Sequence, residues 1–114
     1  MDFKETLPIY MQIADWVCEQ ILLNKWKSEE RALSVRELGV LLEVNPNTVV
    51  RAYSFLEERD ILVNQRGVGF FIAPNAANKI LQFRKKRFFE EELSMFFKTM
   101  KLLGIEMDDV VKRF

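Results

Sequence analysis

The stretch "VNPNTVVRAYSFLEE", Val44 to Glu58, decides how the chain folds. Asn45 is a favourable N-cap and Pro46 is preorganised for a first helical position, so a helix is predicted to start here. Val49, Ala52, Tyr53 and Leu56 recur at helical spacing and predict a buried stripe. Asn47, Thr48, Arg51 and Ser54 are left for the outer face. Such a set is either a solvated surface or a reading surface, and the flanking sequence has to decide.

Working upstream, "SVRE" from Ser34 to Glu37 has the S-x-x-E form of a capping box, in which each side chain satisfies a backbone N–H at a helix start. Val35, Leu38, Leu41 and Leu42 predict the buried side of that second helix. The short turn "EVNP" then leads straight into the helix at Pro46, and two helices so joined predict a helix-turn-helix. Further back, Pro8 opens a pattern with Ile9, Ile13, Val17 and Ile21 at four-residue intervals and Trp16 alongside, ending near Asn24. The polar connector "NKWKSEERAL" follows, with Trp26 expected to tuck back onto the core.

Working downstream, the periodicity changes after Glu58. "ILVN" and "FFIA" are strand-like runs separated by the glycine-bearing "QRGVG" and closed by Pro74, the pattern of a β-hairpin. Helix, helix-turn-helix and hairpin in that order predict a winged helix, with Gln65, Arg66 and Gly67 at the wing tip. The fold class is therefore mainly α with a small β-hairpin. Residues 1–74 are read as the winged helix-turn-helix domain and 75–114 as a short C-terminal helical element. Within that element no breaker occurs from Asn75 until Gly104, a natural residue just past a helix end. Phe89, Leu93, Phe96, Met100 and Leu103 are spaced four, three, four, three, a heptad seam of the sort that packs against another helix. "IEMDDVVKRF" predicts a final helix capped by Asp108 or Asp109, with Ile105, Val110, Val111 and Phe114 apolar. Internal repeats and low-complexity tracts are absent from the sequence.

Composition excludes several classes of function. The chain has 114 residues, 49% of them apolar and ten of them phenylalanine, far from a disordered composition. The start "MDFKETLPIY" is polar and unlike a signal peptide, and no apolar run approaches the roughly 20 residues that cross a bilayer. Cys18 is the single cysteine, so no internal disulfide forms and a reducing, cytoplasmic setting is expected. It reads as a small buried residue of the first helix. Catalysis finds little support: there is no histidine, no phosphate-cradling glycine loop and no recognisable carboxylate pair. Neither a metal site nor a cofactor is expected, and the chain is read as no enzyme.

Charge is more informative in its distribution than in its sum. Basic and acidic residues number 17 each, so the excess of positive charge that often announces nucleic-acid binding is missing. Between Lys27 and Lys79, however, every basic residue is an arginine: Arg31, Arg36, Arg51, Arg59 and Arg66. The planar fork of arginine suits guanine edges and phosphates where lysine is a point charge. In a winged helix the third helix enters the major groove and the wing lies against the backbone or the minor groove. Arg36 beside the second N-cap, Thr48 and Arg51 on the third helix, and Arg66 at the wing tip occupy those contact places. Ser34, Asn45, Asn47 and Thr48 lie in a first turn or its cap, where hydroxyls and backbone N–H groups bind phosphate. Each residue also has a plainer explanation. Ser34 and Asn45 are caps, Arg51 can pair on a solvated face, and Gly67 and Gly69 can serve turn geometry alone. Jointly, polar and basic groups at all the places where a winged helix meets DNA favour function. The basic run "RKKR", Arg84 to Arg87, precedes "EEE", Glu90 to Glu92. Pairs such as Lys86 with Glu90 and Arg87 with Glu91 explain it as a solvated helix face, with a secondary phosphate contact as the other reading.

Three segments, "PIYMQIADWVCEQI", "SVRELGVLLEVNPNTVVRAYSFLEE" and "RGVGFFIA", together resemble the winged-helix signature of the GntR family of bacterial transcription regulators. "NPNTVVRAY" with the short C-terminal part resembles the YtrA-type subgroup, in which the appended element is a small helical dimerisation unit. The resemblance implies DNA contacts at Ser34, Arg36, Asn47, Thr48, Arg51, Arg66 and Gly67. The sequence departs from the family at Ala32 and Leu33, where a leucine-proline pair is usual, and at Gln65, where a first wing arginine is usual. Glu29 and Asp60 replace glycines, and Asp60 tolerates a left-handed conformation less easily than glycine.

A lone heptad-bearing helix cannot bury an aromatic face unaided, so a symmetric partner is expected, with Phe89, Leu93, Phe96, Met100 and Leu103 at the contact. The expectation is a homodimeric transcription regulator, a repressor, bound to a two-fold symmetric double-stranded operator. The rival reading is a winged-helix protein–protein adaptor, since fold alone does not fix function. It predicts an apolar patch beside the third helix. A weaker rival is a non-specific DNA-coating protein, which the neutral charge disfavours. The sequence names no effector, and about 40 appended residues are few for an enclosed pocket of several hundred Å3.

Overall fold

The computed structural model describes residues 7–114. The opening "MDFKET", part of the polar start noted above, lies outside the described residues. The elements run α1 (Ile9–Leu22), α2 (Val35–Leu42), α3 (Pro46–Glu58), β1 (Leu62–Gln65), β2 (Gly69–Ile72), α4 (Ala76–Arg87), a π-helical turn (Phe88–Glu92), α5 (Leu93–Leu103) and α6 (Met107–Arg113). The chain divides into two compact units between Ile80 and Leu81.

In the first unit α3 packs against both α1 and α2. Ile13, Val17 and Cys18 of α1, Leu38 of α2, and Val49, Ala52, Tyr53 and Leu56 of α3 are buried, with Ile61, Leu62 and Ile72 closing the core from the hairpin. Each such aliphatic side chain contributes about 1.5–3 kcal/mol by leaving water. α1 stops at Leu22, two residues before the expected Asn24, because Asn24 turns into the left-handed region (φ 60°). Trp26 does fold back, edge-on to Trp16 with ring centroids 5.8 Å apart. Ile9, expected in the buried stripe, stands largely exposed at the first turn.

α2 is only eight residues long, and its buried side is narrower than its apolar pattern suggested. Leu38, Gly39 and Leu42 are buried, Val35 is half-buried, and Leu41 is 57% exposed. Leu41 lies about 100° round the helix from Leu42, off the face that meets α3. Gly39 is what lets the helix-turn-helix close: a Cβ there would sit 3.0 Å from the Val44 carbonyl oxygen and 3.4 Å from the Pro46 ring.

The hairpin is antiparallel, from Leu62 opposite Ile72 to Gln65 opposite Gly69. The preceding connector, expected as plain polar loop, pairs with it. The Ala32 amide donates to the Phe70 carbonyl (2.8 Å), the Glu29 amide to the Ile72 carbonyl (2.8 Å), and the Ile72 amide to the Glu30 carbonyl (2.9 Å). An isolated bridge joins Arg31 to Phe71. The run Glu29, Glu30, Arg31, Ala32 has no apolar alternation, which hid this from a reading of periodicity. The two positions where glycine was expected from the family do take left-handed backbone without it: Glu29 at φ 66° and Asp60 at φ 59°. Ala76 and Ile80 of α4 are buried in the same unit.

The second unit departs from an unbroken α-helix through Gly104. Five residues, Phe88–Glu92, wind as a π-turn between α4 and α5. A π-turn bonds each residue five places on and so adds a residue to the turn, breaking the four-three spacing between Phe89 and Leu93. No proline or glycine marks it, so sequence patterns that assume α spacing pass over it. α5 ends as expected at Gly104 (φ 67°), with the Ile105 amide closing onto the Met100 carbonyl at 2.9 Å. α6 begins one turn earlier than its aspartates suggested. Extended Glu106 is the N-cap, and Asp109 sits three residues in, accepting the Glu106 amide at 3.1 Å.

Candidate nucleic-acid interface

The start of α3 is fixed by a single side chain. Asn45 is extended, and its Oδ1 accepts the Asn47 amide at 2.8 Å while Pro46 supplies the first helical φ. With Val49, Ala52, Tyr53 and Leu56 committed to the core, helical geometry turns Asn47, Arg51 and Ser54 outward, all exposed, and leaves Thr48 half-buried at the edge. Val50 shares that outward face and is 44% exposed, an apolar group of the kind that meets a thymine methyl. Sequence periodicity did not single it out, because valine reads as core.

Tyr53 ties this helix to its two neighbours. Its buried hydroxyl donates to the Leu33 carbonyl at 2.6 Å, just before α2, and its ring meets Phe70 of β2 edge-on at 5.0 Å. Burial, and then the negative charge of Glu37, push its phenol well above the ordinary value of 10.0, so it stays a neutral donor.

At the start of α2 the capping box is complete. The Glu37 amide donates to Ser34 Oγ (3.0 Å) and the Ser34 amide to Glu37 Oε1 (2.9 Å). The Ser34 backbone, then its side chain, hold the Glu37 carboxyl below its ordinary 4.5, and the charge of Arg31 adds to this. The Ser34 amide is therefore already engaged by a carboxylate, while its hydroxyl proton is still available to an outside acceptor. Arg36 stands exposed in the same first turn.

The wing tip is the turn Arg66–Val68, closed by the Val68 amide on the Gln65 carbonyl at 2.9 Å. Arg66 and Gly67 are both exposed. Gly67 has φ 79° and open space where a Cβ would stand, so glycine there serves the turn. Gly69 has φ 142°, and a Cβ would come within 3.0 Å of the Arg31 guanidinium, which lies against this point of the wing. Arg31 thus joins the basic groups near the wing, a placement visible only once its strand pairing is known.

Arg51 is not an unsupported surface arginine. Its guanidinium carbon lies 4.1 Å from the centroid of the Tyr10 ring at the start of α1. Tyr10 in turn meets Phe55 edge-on at 6.0 Å, and Arg59 covers Phe55 at 3.6 Å. The sequence reading missed Tyr10, since its partner is 41 residues away in the chain. The structure therefore sets the expected groups at three exposed places: the start of α2, the outward face of α3 and the hairpin turn.

Comparison with known proteins bears on the fold and the family. The model of the bacterial regulatory proteins of the gntR family matches residues 9–72, the span from α1 to the end of the wing. The chain belongs to the GntR family. Like its relatives it is a DNA-binding regulator of transcription with a winged-helix fold, and not an enzyme. It is 36% identical to the HTH-type transcriptional regulator YhcF of Bacillus subtilis over 96% of this chain and 89% of that protein. It is 32% identical to the HTH-type transcriptional repressor YtrA of the same organism, over 95% of this chain and 82% of that one. Among solved structures, a GntR-family regulator from Bacteroides thetaiotaomicron superposes with a TM-score of 0.73 at 42% identity, covering 92% of this chain and 91% of its own. Both Bacillus matches extend well past residue 72, so this GntR chain shares with YtrA its short C-terminal segment as well as its winged helix. No helix among the described residues is long and apolar enough to cross a membrane.

Proposed function

We propose that this chain represses transcription by binding, as a homodimer, a two-fold symmetric DNA operator. Residues 1–74 hold the DNA-binding domain and 75–114 the dimerisation element, α4 beginning in the core of the first unit through Ala76 and Ile80. The observation that carries the proposal is the outward face of α3: Asn47, Arg51 and Ser54 are exposed together on a helix whose start is pinned by Asn45 and whose other side is entirely core. Arg51 reads a base edge, a contact that discriminates by about 1–3 kcal/mol. Ser34, Asn45, Asn47 and Thr48 hold phosphates at helix starts, and Arg36, Arg66 and Gly67 hold the backbone on either side. The sign of regulation follows that of the similar repressor YtrA. The dimer rests on the second unit, where Phe89 (64% exposed), Phe96, Leu102 and Leu103 have large apolar surface open to water. Of the other expected contact residues, Leu93 is half-buried and Met100 is already buried within the chain at 8% exposure, so Met100 offers the partner little surface.

The test is fluorescence anisotropy with duplexes from the region upstream of the chain's own gene and with scrambled duplex, for wild type and Arg51→Ala. Wild type is expected to prefer the native duplex by at least tenfold, and Arg51→Ala to lose most of that preference. Equal affinity for both duplexes would overturn the reading. The adaptor alternative draws on exposed Val40 and Leu41 of α2. It predicts that Val40→Asp, and not Arg51→Ala, abolishes the chain's activity in cells.

A further inference from the structure

Tyr10 belongs to α1, outside the elements that a helix-turn-helix presents to DNA, and nothing in the family comparison assigns it a role. Its ring nonetheless supports the guanidinium of Arg51 at 4.1 Å and is itself braced edge-on by Phe55 at 6.0 Å. Arg59 in turn lies over the Phe55 ring at 3.6 Å, and its Nη1 also donates to the Phe55 carbonyl at 3.1 Å. The result is a stack of alternating function along one edge of α3. Arg51, Phe55 and Arg59 follow at four-residue spacing on the helix, and Tyr10 is the one member supplied by another element. Arg51 has many rotamers, and an exposed arginine normally loses that freedom only on binding. Contact over a ring face fixes the guanidinium plane while its five N–H donors stay in that plane, available to a base or phosphate. The stack therefore lowers the ordering cost of the group that reads sequence.

We propose that Tyr10 is a positioning residue for sequence recognition: its ring holds Arg51 in a reading conformation before DNA arrives. This rests on the assignment of Arg51 to the DNA contact made above. Tyr10 itself need not touch the duplex. Loss of the ring removes preorganisation from a base-reading group, so it weakens specific binding. It leaves the number of neutralised phosphates, and hence the salt dependence, unchanged.

The experiment uses the full chain and the tightest duplex selected from a randomised two-fold symmetric library, with a scrambled duplex beside it, each at several salt concentrations. The variants are Tyr10→Phe, Tyr10→Leu and Tyr10→Ala, alone and with Arg51→Ala. Tyr10→Leu keeps apolar bulk against Phe55, so it reports on the ring even where Tyr10→Ala destabilises the fold. Tyr10→Phe is expected to bind like wild type. Tyr10→Leu is expected to lose about two- to tenfold in affinity for the selected duplex, the ordering cost of one long side chain. Its affinity for scrambled duplex and its salt slope stay as in wild type, and it has no further effect once Arg51 is alanine. The inference is overturned if Tyr10→Leu matches wild type, weakens both duplexes equally, or costs the same factor with and without Arg51. Should Arg51→Ala alone bind the selected duplex as well as wild type, the assignment of Arg51 itself fails, a pattern distinct from any of these.

Discussion

Glu37 shows how one side chain can serve the fold and constrain the interface together. Its carboxylate accepts the Ser34 amide at 2.9 Å, and that bond, with the Ser34 side chain and Arg31, lowers its pKa from the ordinary 4.5. A depressed carboxylate contributes stability that is complete above its unfolded pKa and is lost as pH falls through the folded value. The difference in melting temperature between wild type and Glu37→Gln is therefore expected to be constant well above the ordinary 4.5 and to close as pH falls below it through the lowered folded value. A gap that stays open in acid, followed by circular dichroism, would show that the group acts through packing. Much at this level was legible beforehand. Ser34, Glu37, Asn45 and Pro46 declare themselves because capping chemistry is local, acting over two or three residues. Tyr10 and Arg31 did not, since each is defined by a partner about 40 residues away, Arg51 in one case and Gly69 in the other.

The helix-turn-helix and hairpin were readable from period and punctuation, whereas the connector and the π-turn were not. The connector 29–32 lies along β2 although its side chains carry no alternation, and the hydrogen bonds that hold it are backbone to backbone. Three acidic residues take left-handed backbone where elements join: Glu29 in this connector, Glu43 just after α2, and Asp60 after α3. Left-handed backbone costs an ordinary residue roughly 1–2 kcal/mol, part of which glycine returns through its freer unfolded chain. Glu43→Gly and Glu29→Gly are each expected to stabilise by about 0.5–1 kcal/mol, raising the melting temperature by a few degrees. An unchanged or lowered melting temperature would mean that the glutamate side chains make compensating contacts. The π-turn at Phe88–Glu92 is a different matter: it lies inside the predicted heptad, and heptad arithmetic places Phe89 and Leu93 on one seam only if the winding is α throughout. Leu93, Phe96, Met100 and Leu103 keep α spacing within α5, and of these Phe96 and Leu103 have the exposed surface on which the proposed contact is centred.

A chain with as many acidic as basic residues has no general attraction to DNA, and a single winged helix of this kind would bind weakly. Pairing two reading heads on one duplex converts the second contact into an intramolecular one and raises affinity by orders of magnitude without further charge. The apolar surface of the second unit is what makes this pairing reasonable, and Phe96, 43% exposed on α5, is a suitable point to break it. Phe96→Glu is expected to convert the chain to monomer by light scattering and to lower affinity for a full operator at least tenfold, with little change on half of one. A dimer on a symmetric site is tested by titrating wild type into the selected full-site duplex and into the same duplex with one half scrambled, following anisotropy and complex mass together. Two chains per full site are expected, with a large loss of affinity when one half is scrambled. One chain per duplex, with both duplexes bound equally well, would contradict the dimer.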